Sequence, residues 1–150
     1  SILTIASVLA LAYVMNFSGQ TIAMGTFLAG LGTVYAFLAP ALGWIGTAVT
    51  GSDTSANALF SKLQVSAAEN LQHAGIHGAT PELMLAANTT GGVVGKMISP
   101  QSLAIAATSV DMEGKESDIL KAVLPWSFAM LLFVCVLVFL QTNVLSFMIP

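Results

Sequence analysis

The sequence predicts an all-α, polytopic integral membrane protein, and two observations carry this fold class. First, 56% of the 150 residues are hydrophobic and only 7% are charged, whereas a soluble domain carries about a quarter of its residues as charges. Second, residues 1–52 and 122–150 contain no Lys, Arg, Asp, Glu or His. Because about 20 apolar residues suffice to cross a bilayer as a helix, both stretches predict membrane-spanning segments.

Composition also excludes several classes of function. The chain has no Arg, only 4 Lys and a formal net charge of -3, so it lacks the basic surface that a nucleic acid requires. The single cysteine, Cys135, lies in an apolar run and predicts neither a disulfide nor a redox site. His73 and His77 could face one metal only on a continuous helix, which Gly75 disfavours. We expect no metal, no cofactor and no enzymatic activity, since no catalytic motif is present.

The first segment, residues 1–39, is predicted to form two transmembrane helices over residues 2–17 and 22–38. Residues 16–20 separate them with Asn, Ser and Gly, which favour a turn. In the second helix Gly25, Ala29 and Thr33 recur every four residues, a pattern that lets another helix approach closely in lipid.

The second segment, residues 40–72, is predicted to form a re-entrant hairpin. Pro40 interrupts the apolar run, and residues 41–49 are too few to cross a membrane alone. Residues 50–55 are polar, and a helix resumes at residue 56. A half-length helix, a polar tip and a second helix are typical of a re-entrant hairpin; an ordinary loop between two helices is the alternative.

The third segment, residues 80–110, is predicted to be a broken, discontinuous transmembrane helix. Thr80 and Pro81 form a strong helix start, and Ser99 and Pro100 form a second one. We expect the first helix to end near Asn88, because the residues between the two starts are rich in Gly, Thr and Asn. This stretch is not a nucleotide-binding loop, since Met97 follows Lys96 where such a loop needs Ser or Thr.

The last segment, residues 118–150, is predicted to be a transmembrane helix. Residues 111–121 contain six of the eleven charges and must face water. Ser117 and Asp118 are expected to cap the helix, and Trp126 suits the headgroup region.

The two polar breaks, residues 50–57 and 88–101, are the candidate binding site, and we expect them to face each other. Each opens a helix whose first N–H groups lack partners, and such helix starts attract anions. Lys96 adds a positive charge, which is costly in a membrane unless it has a partner or a watery cavity. A structural Lys96, paired with Asp53 or reaching a membrane face, is the alternative. The candidate binding residues are Ser52, Thr54, Ser55, Asn57, Asn88, Thr89, Thr90, Gly91, Gly92, Lys96, Ser99, Gln101 and Ser102.

Asp53 is a candidate proton carrier. It is the only acid among the first 68 residues, and the segments on either side of residues 50–55 are largely apolar. Carboxylates in membrane segments commonly exchange protons. The alternative is that Asp53 only caps the helix that follows.

Three segments resemble the C-terminal end of the bacterial L-lactate permease family. They are GSDTSANALF at 51–60, AANTTGGVVGKMISPQSLAIA at 86–106 and GKESDI at 114–119. The resemblance implies a protein of the bacterial cytoplasmic (inner) membrane that takes up L-lactate, D-lactate or glycolate with protons. It also implies that the chain is the last quarter or so of a permease, with the N-terminal remainder as its partner.

For a substrate of this kind, the charge and the hydrogen-bond donors of the two polar breaks predict specific roles for the candidate residues. The substrate carboxylate would lie at the helix start at Ser99, close to Lys96, with donors from Gln101 and Ser102. Asn88, Thr89 and Thr90 would recognise the 2-hydroxyl, and the glycines at 91, 92 and 95 would let the backbone approach it. The alternative function is a non-transporting structural or assembly module whose polar breaks only pack helices.

Overall fold

The computed structural model describes residues 2–145 and 147, and all regular secondary structure in this part of the chain is helical. A short 3₁₀ turn at Lys96–Ile98 separates the fifth helix from the sixth. The helices are α1 (Ile2–Phe17), α2 (Gln20–Ala29), α3 (Thr33–Thr50), α4 (Asp53–His73), α5 (Pro81–Gly95), α6 (Pro100–Ser109) and α7 (Glu116–Asn143).

Two helices, α3 and α7, are long and apolar enough to cross a membrane. Residues 6–17 of α1 and the whole of α2 meet at an angle of 73° and together qualify as a third, bent span. The all-α membrane class is therefore confirmed. Re-entry of residues 40–72 into the membrane stays a prediction.

The helix boundary predicted at Pro40 is wrong. The helix expected over residues 22–38 breaks at residues 30–32, and α3 then continues through Pro40 for 18 residues. Gly32 has φ 59° and ψ -139°, a conformation that only glycine adopts readily, so the chain turns there. Pro40 removes one backbone hydrogen bond from α3, but neighbouring helices bury it fully, and membrane helices tolerate proline in such surroundings.

Both helix starts predicted in residues 80–110 are confirmed. Thr80 Oγ1 accepts a hydrogen bond from the Leu83 N–H at 3.2 Å, and Ser99 Oγ accepts one from the Ser102 N–H at 3.3 Å. The position of the break is corrected, because α5 continues past Asn88 to Gly95 and the chain leaves α geometry only at residues 96–99. The low helix propensity of this stretch is overridden by its packing on α3.

Two further helix ends were predicted, one correctly. The helix α4 ends at His73 and Gly75 has φ 90°, so His73 and His77 do not share a helix, as expected. The predicted cap of α7 is wrong: the helix already begins at Glu116, with Lys115 as its N-cap residue. Ser117 and Asp118 therefore lie inside the first turn. The negative charge of Asp118 interacts favourably there with the positive end of the helix dipole.

The helices α3 and α5 cross with their backbones in contact. A Cβ atom added to Gly91 or Gly95 of α5 would lie 1.9 Å and 2.2 Å from the carbonyl oxygens of Pro40 and Trp44. On α3, a Cβ atom added to Gly43 would lie 1.8 Å from the carbonyl oxygen of Asn88. Small residues four positions apart allow this approach in membrane helix pairs.

The other helices pack around this crossing. Trp44 Nε1 donates to Ser127 Oγ at 2.9 Å, and Ser127 Oγ donates to the carbonyl of Val94 at 3.2 Å, which joins α3, α7 and α5. The predicted small-residue face of residues 25–33 is divided by the break after α2. Gly25 packs against Ser66 of α4, whereas Thr33 already belongs to α3.

Gly91→Ala should therefore destabilise the protein, because its methyl group meets the rigid backbone of Pro40. We expect a loss of about 1–3 kcal/mol, typical of overpacking, measured by thermal melting of the purified full-length protein. Val93→Ile adds one methyl to an exposed side chain of the same helix and should leave the melting temperature unchanged. Equal melting of the two variants would contradict the tight crossing.

Candidate functional site

The start of α4 is held by Ser52. Its Oγ accepts a hydrogen bond from the Ser55 N–H at 3.3 Å, which makes Ser52 the N-cap residue. Asp53 is the first residue inside the helix. The alternative in which Asp53 caps this helix is therefore wrong, and its carboxylate is free for other contacts.

The Asp53 carboxylate lies where α3, α4 and α5 meet. Asn57 Nδ2 donates to Asp53 Oδ2 at 3.2 Å, and Thr47 Oγ1 donates to Oδ1 at 3.5 Å. A Cβ atom added to Gly92 would lie only 2.0 Å from Asp53 Oδ1. The carboxylate thus occupies the space that the missing side chain of Gly92 leaves open on α5.

Asn57 connects this carboxylate to α5. Its Oδ1 accepts hydrogen bonds from Asn88 Nδ2 at 2.6 Å and from Thr89 Oγ1 at 3.3 Å. Asn88 is fully buried, whereas Thr89 is exposed. The polar break at the start of α4 and the Asn88–Thr89 part of α5 therefore meet, as predicted.

Two residues that the sequence did not single out extend these contacts into the core. Gln64 Nε2 donates to Asn88 Oδ1 at 3.2 Å and to the carbonyl of Ala39 at 3.0 Å. Tyr35 Oη donates to Gln64 Oε1 at 2.5 Å. We call the connected side chains of Tyr35, Gln64, Asn88, Asn57 and Asp53 the amide network. Burying a glutamine amide is costly unless the amide is hydrogen-bonded. The position of Gln64 beside Leu63, Val65 and Ala67 was therefore the sequence signal that could have indicated a buried, hydrogen-bonded side chain.

Lys96 lies between the starts of α4 and α6. Its Nζ donates to the carbonyl of Gly51, next to the N-cap of α4, and to Gln101 Oε1 at 3.3 Å in the first turn of α6. Among the described residues the one ion pair is Lys121 with Asp118. Lys96 is therefore not the direct ion-pair partner of Asp53, and its ammonium is hydrogen-bonded to two neutral oxygens.

The start of α6 is less open than predicted. Ser99 is fully buried, and its hydroxyl donates to the carbonyl of Lys96 at 3.0 Å while accepting from the Ser102 N–H. The hydroxyls of Ser99 and Ser102 are also 3.0 Å apart. Both serines are thus used to close the helix start, and Gln101 remains as the exposed polar residue there.

Two predicted binding residues face away from this site. Thr90 Oγ1 donates to the carbonyl of Ala86 in its own helix at 2.7 Å, and Thr90 lines an apolar groove of about 510 Å³ with Trp126 and Met130 of α7. Gly91 faces the carbonyl of Pro40, so packing rather than open space covers it. Thr54 is exposed at the start of α4, and Ser55 is buried.

The fold and this site define a class. Polytopic all-α membrane proteins in which an interrupted helix and a helical hairpin bring charged groups together include the secondary transporters. A sequence model described as L-lactate permease matches residues 1–145. The chain belongs to the L-lactate permease family.

Individual relatives agree with this assignment. The chain is 50% identical to an L-lactate permease of Bacillus subtilis over 149 residues, which is 99% of this chain and 25% of the relative. It is 46% identical to an L-lactate permease of Escherichia coli K12 over 149 residues, covering 99% of this chain and 26% of the relative. It is 41% identical to the glycolate permease GlcA of the same organism over 148 residues, again 99% of this chain and 25% of the relative.

The chain thus spans about a quarter of the length of the curated relatives that it matches. No solved structure matches it.

Ser52→Ala should destabilise α4, because the Ser55 N–H loses its acceptor. We expect a cost of about 1 kcal/mol, measured by thermal melting of the full-length protein. Thr54→Ala, an exposed change in the same turn, is the control and should be neutral. If Ser52→Ala were neutral and Asp53→Ala destabilising instead, Asp53 would be the cap after all.

Proposed function

We propose that this chain is the C-terminal part of a secondary transporter. It carries L-lactate and related 2-hydroxy monocarboxylates, namely D-lactate and glycolate, with protons across the bacterial cytoplasmic membrane. The names of the relatives support the substrate class, and Lys96 between two helix starts is the observation that carries the proposal. The N-terminal remainder of the permease and the lipid bilayer would complete the surroundings of the site.

The substrate carboxylate is proposed to bind at Lys96. The ammonium already rests on two neutral oxygens, those of Gly51 and Gln101, and a carboxylate is a stronger acceptor than either. Of the predicted backbone donors, the Ser102 N–H is taken by Ser99, which leaves the Gln101 N–H. Charge-assisted hydrogen bonds of this kind contribute about 1.5–3 kcal/mol each.

Proton coupling follows from the charges of Asp53 and Lys96. With Asp53 ionised, the two charges cancel, and an incoming carboxylate would bring an unpaired negative charge into a half-buried site. With Asp53 protonated, Lys96 carries the one charge left between them, and the substrate neutralises it. Because an uncompensated charge is costly in apolar surroundings, proton and anion are expected to bind together.

Recognition of the 2-hydroxyl is proposed for Thr89 and Asn57. Thr89 is exposed and already hydrogen-bonds Asn57 Oδ1, so both groups can exchange that contact for a substrate hydroxyl. Asn88 is fully buried behind them and is better placed to hold Asn57 than to touch a ligand. Ser52 and Gly92 are proposed to shape the site around Asp53 rather than to contact the substrate.

Lys96→Gln tests the carboxylate site. It keeps length and polarity but removes the charge, so the apparent affinity for lactate should fall at least about tenfold, or about 1.4 kcal/mol. The measurement is the KM of radiolabelled L-lactate uptake by the full-length permease. Lys62→Gln, an exposed lysine on α4, is the matched control and should leave KM unchanged. Normal insertion with unchanged affinity in Lys96→Gln would favour the structural or assembly module instead.

Asp53→Asn tests proton coupling. The variant should insert normally, because the Ser52 cap is intact, yet lose uptake driven by a pH gradient. Gly92→Ala should act in the same direction, since its methyl displaces the flexible Asp53 carboxylate rather than rigid backbone. We expect uptake to fall at least about tenfold in both. Normal pH-dependent accumulation by Asp53→Asn would remove Asp53 from the mechanism.

A further inference from the structure

Tyr35 and Gln64 lie outside the proposed binding site but are hydrogen-bonded to it. We propose that they are positioning residues that fix the orientation of the Asn88 and Asn57 amides, so that Asn57 presents an N–H and not a C=O to Asp53. This inference rests on the proposed role of Asp53 as the proton carrier and adds the residues that set its hydrogen-bonding partner.

A backbone carbonyl fixes which atoms donate and which accept in the amide network. The Ala39 carbonyl can only accept, so the Gln64 atom 3.0 Å from it must be the amide nitrogen. The Gln64 oxygen then faces Tyr35 Oη at 2.5 Å, and a phenol can donate to it. The second hydrogen of Gln64 Nε2 points at Asn88, whose facing atom at 3.2 Å must therefore be the oxygen.

This direction continues to the carboxylate. With its oxygen used by Gln64, Asn88 turns its nitrogen toward Asn57 Oδ1 at 2.6 Å, and the Thr89 hydroxyl donates to the same oxygen. Asn57 is then left with its nitrogen toward Asp53 Oδ2 at 3.2 Å. The Ala39 carbonyl of α3 thus determines whether Asp53 faces an N–H or a C=O. It acts through the amides of Gln64, Asn88 and Asn57 in turn.

Burial makes the direction hard to reverse. Tyr35, Gln64 and Asn88 each have 0% of their surface exposed, so water cannot replace a lost partner. Turning over one amide would place two oxygens or two N–H groups face to face in a buried position, which leaves polar groups unpaired. Within the described residues every buried side-chain nitrogen and oxygen has a hydrogen-bond partner, so the present orientation satisfies the whole network.

Few other groups act on Asp53. From α3 it meets the Thr47 hydroxyl, from α4 the Asn57 amide, and from α5 the bare Cα of Gly92. Lys96 supplies a cation one helical turn beyond Gly92, and Tyr35 is the ionisable group at the far end of the amide network. The orientation of the Asn57 amide therefore largely decides whether the Asp53 carboxylate meets a hydrogen-bond donor or an acceptor.

The consequence concerns the pH range of transport. An N–H donor favours the ionised form of a carboxylate, whereas a C=O favours the protonated form. Without Gln64, Asn88 and Asn57 are free to turn over, and a C=O of Asn57 that faces Asp53 can accept a hydrogen bond only from a protonated carboxyl. Proton-coupled uptake, which needs the protonated site, should then persist to higher external pH.

The experiment compares four variants of the full-length permease, one of which is Asp53→Asn. Gln64→Met is similar in shape but apolar, and Tyr35→Phe removes one hydroxyl; radiolabelled L-lactate uptake is measured against external pH. We expect the pH of half-maximal uptake to rise by about half a unit or more in Gln64→Met, and by less in Tyr35→Phe, where Ala39 still orients Gln64. Ser127→Ala, which breaks two other hydrogen bonds between helices, is the matched control and should not move this pH.

Comparing Asp53→Asn with Gln64→Met distinguishes a failure of this inference from a failure of the proposed function. If Asp53→Asn abolishes the pH dependence and Gln64→Met shifts its midpoint, the inference is supported. An unchanged midpoint in Gln64→Met, with pH dependence still lost in Asp53→Asn, overturns the inference and leaves the proposed function standing. Retained pH dependence in Asp53→Asn overturns both. Should Gln64→Met fail to reach the membrane, Gln64→Leu, which also removes the amide that contacts Ala39 and Asn88, decides in its place: an upward shift supports the inference and no shift overturns it.

Discussion

The close approach of α3 and α5 is the constraint on which the rest of the structure depends. Gly43, Gly91 and Gly95 let the two backbones touch, and this contact sets the position of every polar group along α5. Asn88 comes within reach of Gln64 and Asn57 because its own carbonyl lies against Gly43. Bilayer lipid provides little hydrophobic drive for helix association, so packing of this kind together with interhelical hydrogen bonds has to hold the bundle.

The same crossing explains why a carboxylate can be held inside an apolar bundle. Gly92 leaves the space that Asp53 fills, and Asn57 of α4 and Thr47 of α3 donate hydrogen bonds to the carboxylate. Lys96 is placed one turn further along, where α5 gives way to the 3₁₀ turn. An acid and a cation are thus held near each other without forming a direct ion pair, and each stays able to bind a further charged species.

Local sequence signals predicted some of this architecture correctly. Thr80 and Pro81, and Ser99 and Pro100, start helices because capping hydroxyls and proline act within one turn. The polar character of residues 50–57 and 88–101 also predicted that these segments would meet.

Features that depend on distant partners could not be predicted from the sequence. Pro40 lies inside α3 because other helices enclose it, and the glycines of α5 stay helical because α3 fills the space beside them. Gln64 became part of the site only through contacts with Ala39 and Asn88, and no local pattern encodes them.

We propose that the helix starts at Ser52 and Ser99, with Lys96 between them, form one substrate site beside Asp53. The most direct test is an experimental structure of the full-length permease with L-lactate bound. We expect the lactate carboxylate within hydrogen-bonding distance of Lys96 Nζ, its hydroxyl at Thr89 or Asn57, and Asp53 still against Gly92. Lactate bound elsewhere, with Lys96 still on the carbonyl of Gly51 and no substrate contact to either helix start, would contradict it.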